Sequence, residues 1–293
     1  MTDLSFIRPD CAWDLGATLG EGPCWDADAA CLWFTDIKQR RIHRLHPATG
    51  ARQSWEAPDQ PGFALPRAGG GLVVGMPHGL YHFDPGTGSF TRLAGVEEDR
   101  SGNRLNDGFC DAQGRLWFGS MDDAEEAATG AFYHWSGGAP ARVLDGICIT
   151  NGPATSPDGR ILYHTDTVAQ TIHAADIQPD GSLSNRRPFA RIEAGAGYPD
   201  GLAVDAEGCV WTGLFCGWSI RRYAPDGTLL GSVPFPVANI TKLAFGGPDL
   251  RTVYATTAAK GLSVQERAEQ KLAGGLFTFQ SPVPGLPPAK VRA

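Results

Sequence analysis

Asp107-Gly-Phe-Cys-Asp-Ala-Gln-Gly-Arg-Leu-Trp-Phe-Gly-Ser120 decides the fold. It reads as an apolar strand, a turn built on Asp and Gly, and a second strand led by Trp. The unit returns as Gly201-Leu-Ala-Val-Asp-Ala-Glu-Gly-Cys-Val-Trp-Thr-Gly213, and in altered form as Gly152-Pro-Ala-Thr-Ser-Pro-Asp-Gly-Arg-Ile-Leu-Tyr-His-Thr165. Self-similarity at a fixed period is the mark of a repeat architecture.

Working outward, the second strand of each unit anchors at Trp33, Leu72, Trp117, Leu162, Trp211 and Val253, at intervals of 39, 45, 45, 49 and 42 residues. Six such units predict an all-β, six-bladed β-propeller with four-stranded blades, formed by residues 1–293 as one domain. A β-sandwich or two small β-domains would leave the regular period without a reason. Outer hairpins are expected at His46-Pro-Ala-Thr-Gly50, Asp84-Pro-Gly-Thr-Gly88 and Pro225-Asp-Gly227. Ala68-Gly-Gly-Gly71 reads as a hairpin turn; no helical pattern follows it, which argues against a phosphate loop. The ring is expected to close where the segment around Trp13 adds an outer strand beside Gly275-Leu-Phe-Thr-Phe279, protecting an open edge.

Composition agrees. The 293 residues are 42% apolar and 19% charged, which suits a globular chain, and 38 Gly with 22 Pro suit many short strands. The net charge of −7 with no basic cluster argues against a nucleic-acid partner. Seven Cys, an odd number without a Cys-x-x-Cys pair, read as reduced thiols; Cys24, Cys110 and Cys148 look like small strand hydrophobes. No stretch is long and apolar enough for a membrane span, and Met1 to Asp14 lacks the pattern of a signal peptide. A cytoplasmic protein, monomer or weak dimer, is the expectation. Asn239-Ile-Thr matches a glycosylation acceptor, which carries little meaning without secretion. His43 and His46 read as strand and turn surface residues. Neither His-Glu-x-x-His nor Gly-x-Ser-x-Gly occurs, so the usual zinc-protease and serine-esterase sites are unsupported.

A second regularity concerns chemistry. Eleven positions before the anchors stand Asn106, Asn151, Asp200 and Lys242, with Pro61 in the second unit. The first unit's hairpin reads one residue longer, which makes Glu21 its equivalent. Each of these positions lies at the mouth of an innermost strand, so the polar ones should converge on the axis. A solvated strand entrance would explain any one of them, but not five together. Glu21, Asn151 and Asp200 offer only oxygen, and two neighbouring carboxylates repel unless protonated or bridged by a cation. Oxygen donors suit calcium, magnesium, manganese or ferrous iron. Three protein ligands would leave positions for water and substrate.

The chain also resembles the SMP-30/gluconolactonase/regucalcin family. The resemblance is carried by Leu19-Gly-Glu-Gly-Pro23, Asn103-Arg-Leu-Asn-Asp-Gly108, Phe118-Gly-Ser-Met121, Thr150-Asn-Gly152, Ser184-Asn-Arg-Arg187, Pro199-Asp-Gly201, Ala244-Phe-Gly-Gly-Pro-Asp249 and Gly274-Gly-Leu-Phe277, in this order. It implies a propeller with a single metal in the central channel, held by Glu21, Asn151 and Asp200. It further implies a lactonase that opens a sugar-acid lactone such as xylonolactone or gluconolactone, with Arg104 and Asn106 on the substrate. Asp200 is then the expected base. Where the family places a further glutamate after Ser-Met, this chain has Ala124 between Asp123 and Glu125, so Asp123 is taken as the third substrate contact. Lys242, where the family usually has a small or amide residue, is expected to touch substrate as well. Among bacterial members the chain is similar to pentonolactonases such as the xylonolactonases of oxidative pentose catabolism. That likeness puts Fe2+ beside Ca2+ as the expected cofactor, with Zn2+, Mn2+ and Mg2+ as further candidates. The competing readings are an aryl-esterase or organophosphate hydrolase on the same scaffold, and a metal-binding propeller without enzymatic activity.

Overall fold

In the computed structural model, which describes residues 3–293, six four-stranded antiparallel sheets stand around one axis. Their innermost strands are Gly20–Asp26, Phe63–Pro66, Asn103–Cys110, Thr150–Thr155, Tyr198–Val204 and Ile240–Gly246, for blades 1 to 6 in chain order. Each packs against the inner strand of the next blade, and the last against the first, so the ring closes. The six anchors Trp33, Leu72, Trp117, Leu162, Trp211 and Val253 all fall on second strands and are buried. Closure occurs as expected. Asp10–Trp13 pairs with Leu276–Gln280, Cys11 opposite Phe277, and becomes the outermost strand of blade 6.

The Asp-Gly-Trp signature has a local cause. Asp111 Oδ1 accepts the N–H groups of Gln113 and Arg115, which closes the turn, while Oδ2 accepts the Trp117 indole N–H at 2.8 Å. The Arg115 side chain pairs with the same carboxylate and lies over the indole, 4.5 Å from its centroid. Asp205, Trp211 and Arg222 repeat the device in blade 5, with the indole N–H again at 2.8 Å. Burying such a ring contributes roughly 3 kcal/mol, and the Asp removes the penalty its N–H would otherwise bring. Blade 4 carries Leu162 in place of Trp, and there the smaller Ser156 suffices to hold the turn.

Burial falls from the axis outward. Most inner-strand residues are buried, whereas the outer strand Ala51–Glu56 is almost wholly exposed. Threonine hydroxyls stitch neighbouring blades near the axis: Thr165 to the Asp200 carbonyl at 3.1 Å, Thr167 to Pro199 at 2.9 Å, and Thr241 to Gly20 at 2.6 Å. At the far end of the channel the C-terminal segment crosses several blades, bridging at Gly285 to Asp205 and at Val291 to Arg67. It covers a cavity of about 250 Å³.

Two side-chain expectations need correction. His43 is a core residue and not a surface one: it is buried, with its ring 4.9 Å from Phe34 and 5.6 Å from Trp13. Cys148 lies in the connection between blades 3 and 4 and not within a strand. All seven cysteines are free. Among the described residues no helix is long and apolar enough to cross a membrane.

Candidate active site

The polar positions found by counting back are also where the inner strands break register. Bulges fall between Glu21 and Cys24, Leu105 and Gly108, Asn151 and Ala154, Pro199 and Leu202, and Ile240 and Leu243. A bulge adds a residue to one strand and re-aims its side chain. Gly22 and Gly152, each just after a site residue, take φ of +56° and +58°, a conformation that strains any residue with a Cβ. Blade 2 has Pro61 ahead of its inner strand and no bulge, so it sends no polar side chain to the axis.

Glu21, Arg104, Asn106, Asn151 and Asp200 line one cavity of about 390 Å³ at the end of the channel away from the C-terminal segment. All five are buried. Glu21 Oε2 accepts the Gly22 N–H at 2.9 Å. Asp200 Oδ1 is buried and has no hydrogen-bond partner. Burial pushes both carboxyls well up from the ordinary carboxylate range; the charge of Asp107 adds to the rise at Glu21, and the charges of Glu21 and Asp107 add to it at Asp200. Among the described residues no Lys, Arg or His forms an ion pair with Glu21 or Asp200.

Asn106 links the two halves of the site. Its Nδ2 donates to Asn151 Oδ1 at 2.7 Å and to the Thr150 carbonyl at 2.8 Å. Its Oδ1 accepts Arg104 Nη1 at 2.6 Å. Asn151 is further oriented by donating to Thr167 Oγ1 at 3.0 Å.

Two expected substrate contacts lie elsewhere. Asp123 does not line the cavity; it receives Arg104 Nε and Lys38 Nζ, both at 2.6 Å, and Gln60 at 3.3 Å. Burial raises its carboxyl, yet the hydrogen bond from Lys38 and the charge of Arg104 outweigh that and hold it at about 2. Its place is at the rim beside Arg104, where it holds the guanidinium. Lys242 also turns away. Its Nζ donates to Asp107 Oδ1 and to the Gly108 carbonyl at 3.1 Å, and it borders the cavity at the opposite end of the channel. The backward count identified the strand position but not the direction taken after the bulge.

Sequence reasoning also missed residues. Asp107 is buried on the axis, bonded to the N–H groups of Gly108 at 2.7 Å and Gly152 at 2.8 Å and paired with Lys242. Its signal was its place beside Asn106 in a recurring polar-Gly pattern. Glu125, Lys260, Tyr198, Phe215 and the exposed Cys216 border the cavity from loops and strand ends, where no repeat marks them. Burial pushes the Cys24 thiol up to about 12 and raises Cys110 as well, in keeping with small strand hydrophobes.

The donor set suits a divalent cation. Lys242 balances Asp107, which leaves Glu21 and Asp200 as two carboxyls without a basic partner, one oxygen of Asp200 unpartnered, lining the same cavity as the Asn151 amide. Among the described residues no three His, Cys, Asp or Glu side chains group tightly enough to form a metal cage by themselves; this set is two carboxylates and an amide. Oxygen-only donors of this kind favour hard cations over thiol-seeking ones.

Comparison with known proteins agrees with this architecture. The SMP-30/Gluconolactonase/LRE-like region matches residues 19–259. A 6-deoxy-6-sulfogluconolactonase of Pseudomonas putida is 34% identical over 92% of this chain and 93% of its own length. An L-arabinolactonase of Azospirillum brasilense is likewise 34% identical, over 94% of this chain and 93% of its own. The crystal structure of a calcium-binding protein, regucalcin, from Agrobacterium tumefaciens superposes with a TM-score of 0.95 over the whole of both chains at 27% identity. With its closed six-bladed ring and a family match running from the first inner strand into the last blade, this chain belongs to the SMP-30/gluconolactonase/LRE-like family.

Proposed function

We propose that this chain is a lactonase that hydrolyses a sugar-acid lactone in the 390 Å³ cavity, with Glu21, Asn151 and Asp200 holding one divalent metal ion. The observation that carries the reading is the buried pair Glu21 and Asp200, with an unpartnered oxygen, at the floor of a cavity large enough for one sugar ring. The names of the two bacterial relatives support the substrate class.

A bound divalent ion supplies Lewis acidity toward the ester carbonyl or a water. The chain's own residues do the rest. Asp200 Oδ1 accepts a proton from water as the new C–O bond forms at the carbonyl carbon. The ring C–O bond then breaks, the leaving oxygen takes up that proton, and the product is the open hydroxy acid. Arg104, clamped by Asp123 and Asn106, holds its remaining donors toward the substrate without a reorganisation cost. Asn106 positions both Arg104 and Asn151. The all-oxygen donor set suits Ca2+, Mg2+, Mn2+ or Fe2+, with the likeness to xylonolactonases favouring Fe2+ or Ca2+, and the cavity of about 390 Å³ has the volume for a pentonolactone or hexonolactone.

The test is a pH-stat assay over xylono-, arabino-, galactono- and gluconolactone, with and without chelator. Ring opening that a chelator abolishes and added metal restores is expected. Opening no faster than the uncatalysed rate for every lactone, or indifferent to chelator, rejects the proposal. Phenyl acetate belongs in the same panel, because Leu19, Ile149 and Phe215 give the cavity an apolar wall that would also accept an aryl ester.

A further inference from the structure

We infer that Glu125 and Lys260 form a charge-paired clasp across the cavity mouth, and that this clasp selects a lactone whose end remote from the ester carries hydroxyls and no negative charge. The inference rests on the lactonase reading above and narrows its substrate class.

The geometry comes from the ring. Glu125 follows the second strand of blade 3, Leu116–Asp122, and Lys260 follows the second strand of blade 6, Thr252–Thr257. In a ring of six, blades 3 and 6 face each other across the axis. The Lys260 ammonium nevertheless forms an ion pair with Glu125, so the pair spans the opening. Both side chains line the same cavity as Glu21 and Asp200. Their exposures of 30% and 35% show groups that face the cavity while open to water.

Neither partner hangs from a loose loop. The Lys260 N–H donates to the Thr18 carbonyl at 2.8 Å, and its carbonyl accepts Asn239 Nδ2 at 2.9 Å. Glu125 sits at φ +63° in a turn whose N–H donates to the Asp122 carbonyl. Asp122 Oδ2 in turn accepts the N–H groups of Glu126 and Ala127, both at 2.9 Å. The turn is tied across the rim by its neighbour Asp123, which receives Lys38 of blade 1 and Gln60 from the start of blade 2.

The chemistry follows from the pairing. Glu125 offers acceptors and Lys260 offers donors, and their charges cancel. A hydroxyl both donates and accepts, so it can bind to the pair without breaking it. A carboxylate, phosphate or sulfonate at that end would face the Glu125 carboxylate and would have to displace it from Lys260. Discrimination by an unfavourable contact of this kind needs no additional attraction to the preferred ligand.

The test uses metal-loaded protein and two open-chain acids, gluconate and glucarate, which differ by a second carboxylate at the remote end. Calorimetric titration of the wild type should show gluconate binding about fivefold more tightly, the range expected of a half-exposed charge contact. Glu125→Gln should abolish or reverse that preference by freeing Lys260. Lys260→Met should widen it. Metal affinity, titrated separately, should stay within about twofold in both variants, since neither residue is a ligand. The same order is expected in kcat/KM for gluconolactone against glucarolactone. An acid ratio unchanged in both variants, or a wild type that prefers glucarate, overturns the clasp. A parallel loss of metal affinity overturns it too, because the pair would then act through the metal. Ratio shifts as expected without turnover of any lactone would reject the lactonase reading and leave the clasp standing. Turnover with an unchanged ratio would do the reverse.

Discussion

Lys242→Met tests the charge balance of the axis. The Lys242 ammonium is buried and meets Asp107, which is 1% exposed and bonded to two backbone N–H groups. Met has nearly the length of the Lys stem and no charge, so the variant keeps the packing and leaves the Asp107 carboxylate unpaired. Removing one partner of a buried ion pair costs about 3–5 kcal/mol. Unfolding entropy near 2.1 cal/mol/K per residue, over 293 residues, converts that to a fall in Tm of roughly 5–8 °C. The assay is thermal unfolding of chelator-treated protein near neutral pH. Asp107→Asn on the Lys242→Met background should restore part of the loss, because it removes the buried charge; the amide oxygen keeps only one of the two backbone bonds, since Gly108 and Gly152 donate to different oxygens of Asp107. Metal should also stabilise Lys242→Met more than the wild type, since the dication then faces one more uncompensated carboxylate. A single variant as stable as wild type, or a double variant no better than the single, would refute the pairing.

Other predictions concern the site and the core. Asp200→Ala should lower metal-dependent lactone opening by about 10²–10⁴-fold and remove the rise in Tm on adding metal, with circular dichroism unchanged; retained activity or a retained metal shift would count against its role. Asp123→Asn should loosen Arg104 and lower kcat/KM about tenfold, leaving metal affinity at the wild-type value; a weakened metal titration would mean that Asp123 does more than aim Arg104. Acid stability should respond to His43, whose imidazole is pulled down to about 4 by burial and by the nearby Arg41. Above pH 6.5 neither state binds that proton; as pH falls from 6.5 to 4 the unfolded chain takes it up and the native chain does not, so stability drops by about 3 kcal/mol over that window. Chemical denaturation at pH 7 and pH 4.5 should show a smaller difference in His43→Gln than in wild type, and equal differences would refute the assignment.

How much was legible in the sequence differs by element. The blades were legible because each is written locally. Asp111 reaches the Trp117 indole six residues away, and Asp205 reaches Trp211 in the same way, so one short pattern specifies one hairpin wherever it occurs. Glu21, Asn106, Asn151 and Asp200 were legible for a related reason. A repeated unit puts equivalent positions at equivalent places, and a ring turns equivalent places into neighbours. Counting along the chain therefore worked as a spatial measurement.

That count stopped at the backbone. It located Lys242 correctly on its strand, but its direction depends on Asp107, 135 residues away. Asp123 read as a substrate contact because it follows the Ser-Met segment, yet Lys38, Gln60 and Arg104 converge on it from three blades and engage it at the rim. Glu125 and Lys260 carry no repeat signal, since the loops from second to third strand vary freely as long as the strands pair. The sequence by itself determined six blades and a ring of oxygen donors, because both arise from short-range pairing repeated at a period. Only the tertiary structure decided which charges meet, because ion pairs across an axis join residues that no period relates and that approach each other only once the ring is closed.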